Sequence, residues 1–447
     1  MKKSRLIIRL AFAAFLGTLA HSLADDAKAT EKESIETRIA ELEAKLKDAG
    51  AGGGVEGSGI KISGYVDTSY VVNLADRSQS GPVAGSSAQN TGRVFDNAFD
   101  AFSLNAVKLT IEKSKDDSKF PAGFRVDGIL GEDANVLNAN KAAGALGNDS
   151  DLFLEQAYVN LGIPVGSGLD LKIGKMVTLI GYEAIESSAN WQFSRSDACR
   201  LSPSTQTGVT LGYTWNDTVT TTVGVINGFD ALAANSGAIN YNTDFSFVGR
   251  VDVTVPMTSV GDFAAFVTGL YGNDNTFATS SNSENSYTYN VGGTWTKPLG
   301  ITAMTLGIDF LNRHDTMATD GVAPTQTAQA DAKALTAYGK WDWNNWTSTS
   351  GRFGVTWYRT DPSSGALDGY TLSPLVPYTA STQPGSEELY GFTLTQAFNA
   401  WKDTLVRVEW RHDWTDANNA GFGAVGNGSD DLRKDQDTIA VNVVYSF

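Results

Sequence analysis

Residues Asp437 to Phe447 alternate in character. Ile439, Val441, Val443, Tyr445 and Phe447 form one apolar face, and Thr438, Ala440, Asn442 and Ser446 form the other, interrupted only by Val444. A strand of period two with unlike faces suits a wall between lipid and water. The same period recurs from Ile60 onward and predicts about sixteen strands. The first eight lie near Ile60–Val71, Phe102–Glu112, Ala122–Gly131, Leu152–Leu161, Leu169–Thr178, Gln206–Trp215, Thr218–Asn227 and Ser246–Val255. The second eight lie near Asp262–Tyr271, Ser286–Thr296, Ile301–Leu311, Ala332–Trp343, Trp346–Arg359, Glu388–Phe398, Thr404–Trp414 and Gln436–Phe447. Each is close to the roughly 9–11 residues that a tilted transmembrane strand needs.

The connections between these strands run long, short, long, short to the end of the chain. Asn216-Asp217, Lys297-Pro298-Leu299-Gly300 and Asn344-Asn345 are short and rich in turn formers, whereas Asn73–Ala101, Leu179–Thr205, Thr360–Glu387 and Thr415–Asp435 are long. Tight turns on one side and long loops on the other predict an all-β fold, a transmembrane antiparallel β-barrel with its short turns in the periplasm. Trp215, Trp295, Trp341, Trp343, Trp346, Phe398 and Phe447 fall beside the short turns, and Tyr70, Tyr271, Tyr287, Phe310, Trp357 and Trp414 fall near the long loops. Sorted in this way, the rings predict two belts at the membrane interfaces.

Upstream of Ile60 the pattern changes. Lys2, Lys3, Arg5 and Arg9 precede a short apolar stretch and Ser22-Leu23-Ala24, so residues 1–24 read as a signal peptide. Residues 25–48 contain a short periplasmic helix in which Ile35, Ile39, Leu42 and Leu46 form a coiled-coil seam, and residues 49–59 are a glycine-rich linker to the barrel at 60–447. Loss of the four basic residues of the signal takes the net charge from −16 to about −20, which argues against nucleic acid as a partner. Cys199 is the only cysteine, so the chain has no internal disulfide.

Sixteen strands enclose a lumen wider than side chains alone can fill, so a water-filled channel is expected. Inward parity assigns Lys108, Arg125, Arg250, Lys340, Arg352, Arg407, Glu409 and Arg411 to the pore wall, with Asp127, Lys172, Asp252, Asp309, Asp342 and Asp413 beside them. An Arg or Lys facing lipid near the midplane would cost roughly 2–4 kcal/mol. The connection Leu179–Thr205 carries Leu179, Ile180, Tyr182, Ile185, Trp191 and Phe193, too apolar for a solvated loop. It is expected to fold into the lumen and to form a constriction with Glu183, Glu186, Arg195, Asp197 and Arg200. Arg125, Arg250, Arg407 and Arg411 are expected to face the two glutamates across the channel. An alternative is a substrate-specific channel, for example for sugars, with Tyr158, Tyr338 and Tyr358 as a stacking track.

Catalysis finds little support. His314 and His412 each sit in an Arg-His-Asp triplet, but no nucleophile accompanies them, and His412 has lipid-facing parity. No catalytic residue, cofactor or metal ligand is assigned; the acidic run Asp430, Asp431, Asp435 and Asp437 matches no calcium-loop spacing and reads as solvated.

Leu154-Glu155-Gln156-Ala157-Tyr158-Val159-Asn160-Leu161, Ile173-Gly174-Lys175-Met176 leading to Gly181-Tyr182-Glu183, Asn190, Phe193-Ser194-Arg195-Ser196 and Gln206-Thr207-Gly208-Val209 resemble the β-barrel porin family that includes the OmpL-like proteins. The resemblance spans Ile60 to the end, and the alternating final strand with its terminal Phe is similar to the closing strand of bacterial outer-membrane barrels. It implies a channel in the outer membrane of a Gram-negative-type envelope, in contact with outer-membrane lipids and passing small hydrophilic solutes. More distantly the chain is similar to the general trimeric porins, which implies an infolded third loop and a homotrimer. Asp197-Ala198-Cys199-Arg200 departs from the expected pattern by placing two charges where apolar residues are anticipated.

Overall fold

Sixteen antiparallel strands close into one barrel, each paired with its neighbours in sequence and the last with the first. The computed structural model describes residues 59–447, except 75–89, 91, 140–150, 230–244, 258, 274–284, 319–326, 362–384, 417–421 and 423–433. The expected signal peptide, the helix and all of the linker before Gly59 lie outside the described residues. The strands are β1 (Ile60–Asn73), β2 (Ala101–Lys113), β3 (Ala122–Leu130), β4 (Leu152–Ile163), β5 (Leu169–Val177), β6 (Thr205–Thr214), β7 (Val219–Phe229) and β8 (Ser246–Met257). They continue as β9 (Gly261–Asn273), β10 (Asn285–Thr296), β11 (Met304–Ala318), β12 (Thr327–Asn344), β13 (Thr347–Asp361), β14 (Gly385–Phe398), β15 (Thr404–Thr415) and β16 (Asp435–Ser446).

All sixteen predicted strands are present, and their ends differ where local backbone overrides alternation. β11 opens at Met304 rather than Ile301, because Leu299 is left-handed (φ 53°) and the Ile301 amide is spent on the Pro298 carbonyl at 3.0 Å. β12 begins at Thr327, since its ladder follows β11 out to Ala318, past the region where outward residues alternate in polarity.

The seam joins Tyr65 to Ser446 and runs to Asn73 opposite Thr438. Below it Gly64 and Phe447 exchange two backbone bonds, at 3.0 and 2.9 Å. Ile439, Val441, Val443 and Tyr445 are exposed on the outside, while Gln436, Thr438, Ala440, Asn442 and Val444 are buried on the inside. Val444, the irregular residue of that face, is buried in an interior apolar cluster with Tyr65, Phe95, Ile129 and Phe153. The inner wall is therefore wet only in part.

That cluster is completed by two segments which alternation does not reveal. The backbone leaves β3 at Gly131 (φ 114°), where a Cβ would lie 2.7 and 2.8 Å from the Leu104 and Asn105 carbonyl oxygens. Only glycine fits that turn. The chain then forms helix α1 (Glu132–Ala139), whose Ala134 and Leu137 join the same cluster. Phe95, from the connection between β1 and β2, packs there as well. Among the described residues no helix is long and apolar enough to cross a membrane.

Candidate functional site: the infolded loop and the charged wall

The connection from β5 to β6, residues 178–204, lies against the inner wall. Its apolar side explains why. Ile180, Ala198 and Leu201 are buried in a cluster with Leu311, Ala332, Ala334, Tyr358 and Leu389 of β11 to β14. Phe193 packs with Val71 and Ala440 on the two sides of the seam. Within the loop, Asn190 ties its own turn by donating to the Ala184 and Glu186 carbonyls at 2.8 and 3.0 Å. The Arg195 guanidinium donates to the carbonyls of Phe193, Ala184 and Ile185 and covers the Phe95 ring at 4.8 Å. Ser196 caps the short helix α2 (Asp197–Leu201) by accepting from the Cys199 amide at 3.3 Å. The residues that carry the family resemblance are thus the ones that cross-tie the loop.

Wall side chains hold this loop through its backbone. Arg407 donates to the carbonyls of Ser187, Asn190 and Gln192 at 2.9, 3.1 and 3.0 Å. The Glu409 carboxylate accepts the amides of Phe193 and Ser194 at 2.7 and 3.0 Å. Arg411 donates to the Arg195 carbonyl at 2.7 Å, and Arg250 to the Leu179 carbonyl at 2.8 Å. Arg352 reaches the Ser194 carbonyl at 2.6 Å and the Glu183 carboxylate at 2.9 Å. On the other flank Lys108 gathers Glu186 and Glu155 and lies 3.2 Å from Asp127. Both Glu155 and Gln156 reach inward there, because a bulge opposite Asp127/Gly128 shifts the register of β4 by one residue.

The charges do not fall as the strand parity alone suggests. Arg125, Arg250, Arg407 and Arg411 are not ranged against Glu183 and Glu186. Arg125 pairs with Asp127 and Glu112, Arg250 with Asp252, and Arg411 with Asp413, while Arg407 clasps carbonyls and Asn442. Glu183 belongs instead to Arg352 and to Ser196, which donates through its amide and hydroxyl at 2.7 Å each. Its side chain is 3% exposed, so Glu183 lines no open channel. Arg195 is buried likewise, whereas Glu186 keeps 21% exposure beside Lys108. Asp197 and Arg200 stand 3.9 Å apart on α2 beside the buried Ala198 and Leu201, and Arg200 is bonded to the wall through Tyr358 of β13. The stacking track is not assembled: Tyr338 is buried under Tyr182 (4.7 Å, stacked), and Tyr358 is buried where its hydroxyl accepts from Arg200 at 2.8 Å.

A repeated arrangement does emerge. Arg125 and Asp127, Arg250 and Asp252, Lys340 and Asp342, and Arg411 and Asp413 are base and acid two residues apart on one inward face, paired at 3.0, 2.8, 2.8 and 2.8 Å. The triplets Arg-Val-Asp, Arg-Val-Asp, Lys-Trp-Asp and Arg-His-Asp announce it once the strands are known. The connection between β1 and β2 adds a further ion pair that sequence reading misses. Arg93 pairs with Asp413 at 2.8 Å and with Asp96, and it donates to Thr438 at 3.1 Å. The available signal was Val94 and Phe95, apolar residues in a long loop, the same sign that marks 179–205. Cys199 is half-buried, and desolvation pushes its thiol up to about 12.

A family model described as "Putative beta-barrel porin-2, OmpL-like" matches residues 59–447. Among solved structures, the outer membrane channel DcaP of Acinetobacter baumannii aligns with a TM-score of 0.55 at 12% identity, over 87% of this chain and 97% of that one. The in vitro folded OmpT of Vibrio cholerae in its trimer form gives 0.50 at 12% identity, over 87% and 99%. The anion-selective porin from Comamonas acidovorans gives the same values. At such identities the likeness speaks for the fold. No curated protein sequence matches the chain.

Proposed function

Because the chain belongs to the OmpL-like β-barrel porin family, we propose that it is a passive pore for small hydrophilic solutes, with its size limit set by the loop 178–204 and with weak ion selectivity. The family places it in the outer membrane as a channel. One observation carries the reading. The loop is clasped by β8, β13 and β15 through eight hydrogen bonds between its backbone and Arg250, Arg352, Arg407, Glu409 and Arg411, on the inside of a closed barrel. Glu183, Glu186, Arg195, Asp197 and Arg200 act in this reading mainly by shaping the constriction, and only Glu186 and Arg200 present charge to the water.

Weak selectivity follows from the pairing of the wall. A base and an acid at 2.8–3.0 Å make a short dipole whose field fades well within a screening length of about 8 Å. Lys340 and Asp342 cancel in the same way. The chain is further proposed to act as a homotrimer surrounded by outer-membrane lipids, a reading supported by the trimer form of the OmpT neighbour.

Bilayer recordings on the purified barrel test both parts. A salt gradient should give a small reversal potential, with anion and cation permeabilities within about threefold of each other. A preference above about tenfold for either sign would overturn weak selectivity, and an absence of conductance would overturn the pore itself.

A further inference from the structure

We propose that His412, Asp435 and Asp437 form a binding site for a divalent transition-metal ion of the Zn2+ class on the outer wall, outside the lumen. The strand register builds it. His412 of β15 lies directly opposite Asp437 of β16, and Trp414 opposite Asp435, so the two carboxylates stand two residues apart on the outward face that carries the imidazole. One ligand atom from each residue falls within 4.8 Å of the others. The His412 Nδ1 and an Asp437 oxygen are 3.1 Å apart. Two ligands bound at roughly 2.0–2.2 Å to a tetrahedral ion stand about 3.3–3.5 Å apart, so the pair needs only a slight opening to admit one.

The ligands are also held in place before any ion arrives. The His412 ring stacks between Trp410 and Trp414, at 6.4 and 5.1 Å, and the Trp410 indole donates to Asp437 at 3.0 Å. Such second contacts fix ring orientation and sharpen metal affinity. A second Arg-His-Asp triplet provides an internal comparison. His314 lies opposite Asp331 across β11 and β12, bonded at 2.6 Å and stacked on Tyr287. Among the described residues, only the His412 group gains a third ligand.

Ligand chemistry selects the ion. One imidazole with two carboxylates favours Zn2+ and its neighbours in the transition series, whereas Ca2+ and Mg2+ favour all-oxygen shells. Three protein ligands leave a fourth position for water or an anionic oxygen. The site lies beside the connection that follows Thr415, at the external rim among aromatic side chains, and therefore at headgroup level. In the sequence, Asp435 and Asp437 look like the end of a solvated acidic run; the partner strand supplies the residue that changes their meaning.

The test is calorimetric titration of ZnCl2 into the untagged full-length barrel, stripped with chelator and folded in detergent. One saturable ion per chain is expected. His412→Ala and Asp435→Asn should each weaken binding by about tenfold or more, and His314→Ala should leave it unchanged. No saturable uptake by the wild type overturns the proposal, as does wild-type affinity in both His412→Ala and Asp435→Asn. Asp435 is an exposed side chain, so its variant remains decisive if His412→Ala folds poorly.

Discussion

Arg407 is the residue on which the loop depends most. Its guanidinium is buried and serves three loop carbonyls, and it also donates to Asn442 at 2.6 and 3.0 Å. Arg407→Ala should leave these acceptors without a donor, at about 1–3 kcal/mol for each buried group. The expected result is a loosened loop and a larger single-channel conductance; an unchanged conductance would show that the loop is held elsewhere. Arg407→Lys should fall between, since an ammonium cannot span the carbonyls as a planar fork does. Glu183→Gln has a different signature. The carboxylate is buried against Arg352 and Ser196, so the variant should leave ion selectivity unaltered, and a shifted reversal potential would place Glu183 at the water surface. Cys199 should react slowly with maleimide at neutral pH in the folded barrel and faster on unfolding, because desolvation raises its thiol. Rapid labelling of folded protein would contradict that burial. Inward parity was legible for Arg352 and Arg407, but their partners were not, because partners depend on a loop path that no periodicity encodes.

At the scale of elements, the strands were readable because a lipid face and a water face impose period two, as Ile439 to Tyr445 illustrate. Helix α1 was not. Its sequence, Glu132-Asp133-Ala134-Asn135-Val136-Leu137-Asn138-Ala139, is short and only faintly amphipathic, and it exists because Gly131 turns the chain inward. Gly131→Val should therefore expel α1 or prevent barrel closure. A lowered unfolding temperature in detergent, measured by heat-dependent gel migration, is the expected readout; wild-type migration would mean that the turn tolerates a side chain. Gly64 is a second close approach, since a Cβ there would lie 2.2 Å from the Lys108 carbonyl and 2.7 Å from the Phe447 ring. Gly64→Val should reduce the yield of folded barrel while leaving the conductance of whatever does fold unchanged.

For the molecule as a whole, closure separates two populations of side chains that the sequence interleaves residue by residue. The lipid side collects Trp215, Trp341, Trp343, Trp346, Trp401 and Phe447 as exposed rings near the short turns, and the stacked set Tyr390, Trp414 and His412 near the long connections. The water side collects Arg125, Arg250, Lys340 and Arg411 and pairs each with an aspartate on the same strand. Net charge was therefore a poor guide to the pore. The chain carries −16 overall, yet the described wall presents alternating pairs, so the acidic surplus belongs to other parts of the sequence.

The seam gives the loop a further property. Asp67 of β1 receives the Ser187 hydroxyl and the Asn442 amide of β16, and Arg407 joins the Ser187 hydroxyl at 3.0 Å to that same Asn442. One knot thus ties the first strand, the last two strands and the loop. Until the earliest and latest portions of the chain have met, this anchorage is missing. That share of the loop's anchorage is consequently supplied by the same contact that completes the wall, and an unfinished cylinder has no bore to set.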